Sequence, residues 1–150
     1  FSFLFFVSSC NNTVSSIDQT KPIFEEISFN VVQKKILLDE DLPSNLTHML
    51  NYWFDNKVKI HGYEGDITFN IYEYSETISL IDDGKKVEVS ITFDAIIRNP
   101  ILSQKKIING QVKSFGTISG NFTLSEFDTI IKNAQTDLVV RISRDLKSKI

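Results

Sequence analysis

Apolar residues along this chain first run together, then vanish, then recur with regular periods. Phe1 to Val7 is an apolar run broken by a single Ser. Two small residues and Cys10 follow, and Asn11 to about Lys21 is almost wholly polar. Periodicity begins after Pro22. Ile27, Phe29 and Val31 alternate with Ser28, Asn30 and Val32, which predicts a strand ending near Leu37-Leu38.

Asp39-Glu40-Asp41-Leu42-Pro43-Ser44 reads as a helix start, with acids around the first turn and Pro43 at the first helical position. Leu42, Leu46, Met49, Leu50, Trp53 and Phe54 then make one apolar face of a helix running to about Lys57. Tyr52 falls off that face and is expected to be exposed. A connector with Gly62 and Gly65 leads to a second strand, in which Ile67, Phe69 and Ile71 alternate with polar residues. Asp82-Asp83-Gly84-Lys85 predicts a hairpin turn. Val87, Val89, Ile91, Phe93 and Ala95 mark the cleanest strand, which Asn99-Pro100 breaks.

A fourth strand is expected over about Lys106 to Ile118, its glycines marking a bulge, a bend or a close approach. Thr123-Leu124-Ser125-Glu126 matches a capping box. The long helix after it carries a buried stripe of Leu124, Phe127, Ile131, Ala134, Leu138, Ile142 and Leu146, with Asp137–Arg141 and Asp145–Lys149 as i,i+4 pairs. The expected fold is α+β: a mainly antiparallel four-stranded sheet with two helices on one face, in the order β-α-β-β-β-α. Tyr72 and Tyr74 are placed on the other face.

Composition changes little in this picture. The chain has 150 residues, 41% hydrophobic and 23% charged, which suits one globular domain. A formal net charge of −3 gives no argument for nucleic-acid binding. The cysteine count matters more. With one cysteine no intramolecular disulfide can form, so its position has to explain it.

Val7-Ser8-Ser9-Cys10 resembles a bacterial lipobox: an aliphatic residue, two small residues and the cysteine. The apolar run before it is too short to span a bilayer but fits the core of a signal peptide. The resemblance implies a diacylglycerol on the Cys10 thiol and cleavage just before it. The chain is expected to begin inside its signal peptide, because neither an initiator Met nor a basic stretch precedes Phe1. The expected domains are a truncated signal peptide (1–9), a lipidated cysteine with a flexible tether (10–21) and a single α+β domain (22–150). The competing reading makes Phe1 to Val7 an N-terminal strand of a soluble α+β domain with Cys10 buried.

Candidate chemistry is sparse. His48 falls within a helix and His61 in a loop, with no ligand at metal spacing beside either. No nucleophile elbow, P-loop or H-E-x-x-H is present. Gly62-Tyr63-Glu64-Gly65-Asp66 offers two carboxylates and reads as a turn with solvated acids. Asp39, Glu40 and Asp41 suit a helix start better than a calcium loop. The sequence therefore points away from an enzyme and requires no cofactor.

The element order, Trp53, the Lys57-x-x-x-x-Gly62 and Gly65 region and the helix after Leu124 together resemble cell-envelope lipoproteins. These include the lipopolysaccharide-assembly lipoprotein that sits in an outer-membrane barrel, the auxiliary lipoproteins of ABC-type lipid transport, and uncharacterised alphaproteobacterial lipoproteins. The assembly group has a Gly-Phe-x-Pro-Leu-Tyr-like segment after its cysteine. Here Asn11-Asn12-Thr13 stands instead, so no partner-binding residue carries over. The resemblance implies a non-enzymatic binding or assembly module, held by a covalent lipid at the periplasmic side of a membrane, the outer one before the inner. Its partner would be an envelope protein or a lipid. A lipid-binding carrier or transport auxiliary is the alternative.

Overall fold

The computed structural model describes residues 24–150. Its elements are β1 (Ile27–Phe29), β2 (Gln33–Leu38), α1 (Ser44–Lys57), β3 (Val58–Ile60), β4 (Asp66–Ile81), β5 (Gly84–Asn99), β6 (Gln104–Ser119) and α2 (Leu124–Lys149). β5 is central because its alternation is complete. Val87, Val89, Ile91, Phe93 and Ala95 all point inward and are fully buried. The main sheet has the order β2-β4-β5-β6. β4, β5 and β6 are antiparallel, whereas β2 joins β4 in parallel. Asp82 and Asp83 form the β4–β5 turn, with Ile81 paired to Gly84.

The first predicted strand is two strands in different sheets. Ile27, Phe29 and Val31 turn inward at odd positions, but Ile36 and Leu38 pack on the core at even ones. A period of two cannot serve both sets, so the chain breaks between them. β1 pairs in parallel with β3, and β2 pairs with β4. The Val32 N–H, released from any ladder, donates to the Gly65 carbonyl at 3.1 Å.

α2 starts near the Asp82-Asp83 end and runs back along β6 from Gly116 to Asn109, whereas α1 starts after Asp39, whose N–H bonds the Ile71 carbonyl part-way along β4, and runs toward the end where β5 turns into β6. α1 buries Leu46, Leu50, Trp53 and Phe54. Pro43 occupies its cap position with extended backbone rather than the first helical position, and no acid lies in the first turn. Asp39, Glu40 and Asp41 end before it. The α1 carboxyl end is closed from β2. Lys34 Nζ donates to the carbonyls of Phe54 (2.6 Å) and Val58 (2.7 Å), and lies 4.6 Å from the Phe54 ring centre.

α2 begins with the predicted capping box. Thr123 Oγ1 accepts from the Glu126 N–H at 3.1 Å, and Glu126 Oε1 accepts from the Thr123 N–H at 2.9 Å. Ala134, Leu138, Val139, Ile142 and Leu146 are buried. Leu124 is not: it is 82% exposed, while Phe127 in the same turn stacks on Phe122. The helix periodicity continues to Leu124, one turn beyond the edge of the core.

β6 holds an unbroken register with β5, so its glycines mark close approach rather than a bulge. A Cβ on Gly116 would lie 2.6 Å from Ile130 Cγ2, and one on Gly110 would meet the Asp145 carboxylate and the Phe93 ring. The bulge lies in β4 instead, between Tyr72 and Ser75, with Glu73 at φ 56°. It shifts the parity of β4 by one. Tyr72 stays on the outer face and donates to Asp94 at 3.0 Å. Tyr74, expected beside it, turns to the helix side, where Gln135 Nε2 donates to its hydroxyl at 3.1 Å.

Candidate functional site

Val7, Ser8, Ser9 and Cys10 lie outside the described residues. The described chain starts at Phe24, whose ring is buried 6.2 Å from that of Tyr52. Glu25 docks on the last turns of α2. Its carbonyl accepts from Ser143 Oγ at 3.3 Å, and its carboxylate lies 2.9 Å from Lys147 Nζ and 3.9 Å from Arg144 Nε. The hydrogen bond from Lys147 holds the Glu25 carboxyl below its ordinary pKa. The chain therefore enters the domain against the carboxyl-terminal half of α2.

From there β1 leads to the end of the sheet where two loops meet. One is the glycine loop from His61 to Asp66. Gly65 has φ +85° and no room for a Cβ beside the Arg98 carbonyl. Its two carboxylates are structural. Glu64 accepts from Asn99 Nδ2 at 3.0 Å, and Asp66 faces Arg98 at 3.9 Å. The second loop is the β5–β6 turn, Pro100 to Ser103. The Leu102 N–H donates to Asn99 Oδ1 at 3.2 Å, and the Ser103 N–H reaches the Pro100 carbonyl at 3.3 Å. Ile101 and Leu102 project from it, 71% and 59% exposed. A depression of about 640 Å³ between the loops is lined by Asn30, Glu64, Arg98, Asn99 and Lys105, among others.

The remaining candidates are not brought together. His48 and His61 are both exposed. Among the described residues no group of three or more His, Cys, Asp or Glu could hold a metal ion. Asp39 turns back on its own segment, accepting from the Asp41 N–H at 3.3 Å. Tyr52 is half exposed, as its place off the α1 stripe predicts. Among the described residues no helix is long and apolar enough to cross a membrane.

Two apolar features escaped the periodicity. The Ile101-Leu102 pair follows Asn99-Pro100, and two adjacent aliphatic residues just after a turn signal were the clue available. The other lies at the opposite end of the sheet, where Ile78 and Leu80 of β4 and Leu124 of α2 are exposed. Only the first six of the sixteen residues of β4 have β2 beside them, since the β2–β4 register ends at Leu38↔Ile71.

No protein-family model matches this chain, and no curated protein matches its sequence. Its fold does recur in solved structures. It is similar to a minor lipoprotein from Acinetobacter baumannii, at 14% identity and TM-score 0.54, covering 79% of this chain and 94% of the other. It is similar to the rare lipoprotein B from Shewanella oneidensis, at 13% identity and TM-score 0.54, covering 79% and 96%. A candidate lipoprotein from Caulobacter crescentus gives 9% identity and TM-score 0.50, covering 77% and 85%. Identities this low speak for the fold alone. The described part of this chain thus has an α+β architecture that it shares with several bacterial lipoproteins.

Proposed function

We propose that this protein is a lipoprotein acylated on Cys10, and that its domain is a non-enzymatic binding or assembly module at the periplasmic face of a membrane, the outer one in preference. The observation that carries the proposal is the Val7-Ser8-Ser9-Cys10 lipobox, set between an apolar run and a polar one. The shared fold supports it. A thiol carrying diacylglycerol, with a further acyl chain on the freed amine, holds stably to a bilayer where one chain would not.

The lipid-carrier alternative needs an apolar cavity between sheet and helices. Trp53, Phe69, Phe93, Ile91, Leu138 and Ile142 fill that space and lose essentially all exposure. Packing of this kind favours a module that works through its surface. The Ile78, Leu80 and Leu124 flank is the surface an envelope-protein partner would cover.

Mass spectrometry of the protein extracted from membranes tests the anchor. The expected product begins at Cys10 with acyl chains, and Cys10→Ala abolishes that form. An unmodified Cys10 still preceded by Phe1 to Ser9 refutes the anchor. Crosslinking from Leu80 in gently solubilised membranes tests the module, and recovery of monomer alone counts against it.

A further inference from the structure

We infer that the β5–β6 loop is a second membrane contact, in which Ile101 and Leu102 enter the lipid surface and the basic residues around them select an anionic one. The inference rests on the Cys10 anchor proposed above.

The loop is fixed in the shape that exposes both side chains. Asn99 takes the Leu102 N–H, and its own amide is held by Glu64. Ser103 closes the turn at φ 52°, a backbone region costly for a residue with a side chain. A frayed loop would need none of these contacts. Two adjacent aliphatic residues fixed in an exposed turn hold apolar area that entry into a lipid surface would remove from water.

The position also fits. Phe24 and Glu25 dock beside Ser143 and Lys147, and β1 runs on to Asn30 and Val31, which border the same depression as Ser103 to Lys106. Residues 11 to 23 separate Cys10 from Phe24. That chain reaches at most roughly 45 Å when extended, so an anchored domain stays close to the bilayer. The chain entry and the loop are thus joined by one short strand on the same half of the domain.

Charge supplies the third argument. Arg98, Lys105 and Lys106 flank the loop, and Lys35 lies on the adjoining rim. Asp66 is the acid opposite Arg98. Among the described residues no ion pair engages Lys105 or Lys106. Asp82 and Asp83 lie at the other end of the sheet, the Asp39 N–H bonds the Ile71 carbonyl part-way along β4, and the acid on the loop's own rim besides Asp66 is Glu64, which is held by Asn99. A domain with separated charges turns its basic end to an anionic leaflet, and an apolar pair amid lysines is the pattern of an interfacial contact.

The single cysteine makes the test direct. Once Cys10 is acylated, Leu102→Cys supplies the one reactive thiol for an environment-sensitive fluorophore. Leu80→Cys, at the opposite end, is the control. The lipidated full chain is reconstituted into vesicles of phosphatidylglycerol with phosphatidylethanolamine, and separately into phosphatidylcholine alone. In the anionic vesicles, lipid-borne quenchers should reduce the emission at 102 at least threefold more than at 80. Lys105→Glu with Lys106→Glu should erase most of that difference. Equal quenching at 102 and 80 overturns the inference. Quenching at 102 that ignores lipid charge overturns the selection of an anionic surface. Mass spectrometry before reconstitution separates the two proposals: an unacylated Cys10 removes both, whereas an acylated protein with its loop in water removes only this one.

Discussion

Phe69→Leu tests whether the aromatic cluster joins the two small sheets and α1 into one core. Phe69 is fully buried on β4 and meets three rings edge-on: Phe29 at 5.8 Å, Trp53 at 5.5 Å and Phe54 at 5.9 Å between centroids. These rings come from β1 and α1, so one side chain ties three elements together. Leu retains most of the apolar burial but loses the ring edges. Each such pair contributes about 0.5–1.5 kcal/mol beyond its area. The three losses share one residue and do not add fully, so a cost of about 2–3 kcal/mol is expected. A domain of this size has about 5–15 kcal/mol in total, so the variant should still fold.

Urea unfolding followed by far-ultraviolet circular dichroism measures this. Trp53, the single tryptophan, gives a second signal from inside the cluster. With a slope of about 2 kcal/mol per molar, the midpoint should fall by about 1–1.5 M. A fall below about 0.3 M at unchanged slope would refute the reasoning. The rings would then be neighbours without being a joint. Phe69→Ala is the more severe form, expected to cost about 3–5 kcal/mol.

The remaining predictions concern single contacts. Thr123→Ala removes the side-chain half of the capping box and should cost about 1 kcal/mol, while Glu126→Gln, which retains the reciprocal bond, should cost less than half of that in the same titration. Gly65→Ala forces a side chain to φ +85° against the Arg98 carbonyl and should lower stability by about 1–3 kcal/mol, measured by thermal unfolding. Lys34→Met removes both donors at the α1 carboxyl end and should speed amide exchange in the last turn of α1 more than in α2. Burial pushes the Tyr74 hydroxyl well above the ordinary tyrosine pKa, the Glu76 contact adding to this and the Gln135 bond opposing it. The unfolded chain then releases this proton near pH 10 while the folded one keeps it, so the stabilisation is complete below pH 10 and is lost as pH rises beyond it. Tyr74→Phe should flatten that alkaline decline; an unchanged slope would contradict the assignment. Tyr72, raised by its bond to Asp94, retains its share.

Much of this architecture was legible because local signals agreed. The alternation from Val87 to Ala95, the Asp82-Asp83 turn and the Thr123–Glu126 capping box each specify their element within a few residues. Two of the misplacements share one cause, which is parity. A bulge at Tyr72–Ser75 moves Tyr74 to the helix side, and a break near Val32 divides the first strand between two sheets. Neither event leaves a composition signal, since one inserted residue reverses every side chain after it. Leu124 shows the converse: its period is right, but it lies one turn beyond the edge of the core.

The sequence by itself determined the anchor proposal and the element types. A lipobox is a linear pattern, and helix and strand periods are set by the backbone, so both can be read along the chain. Only the tertiary structure decided which residues share an end. It brought the chain entry at Glu25, the fixed Ile101-Leu102 turn and the lysines of β2 and β6 to one side of the domain. It left Ile78, Leu80 and Leu124 exposed at the other. Glu25 and Lys106 lie about eighty residues apart in the chain, and their placement follows from how the strands pair and where α2 crosses them. Local periodicity carries no information about either.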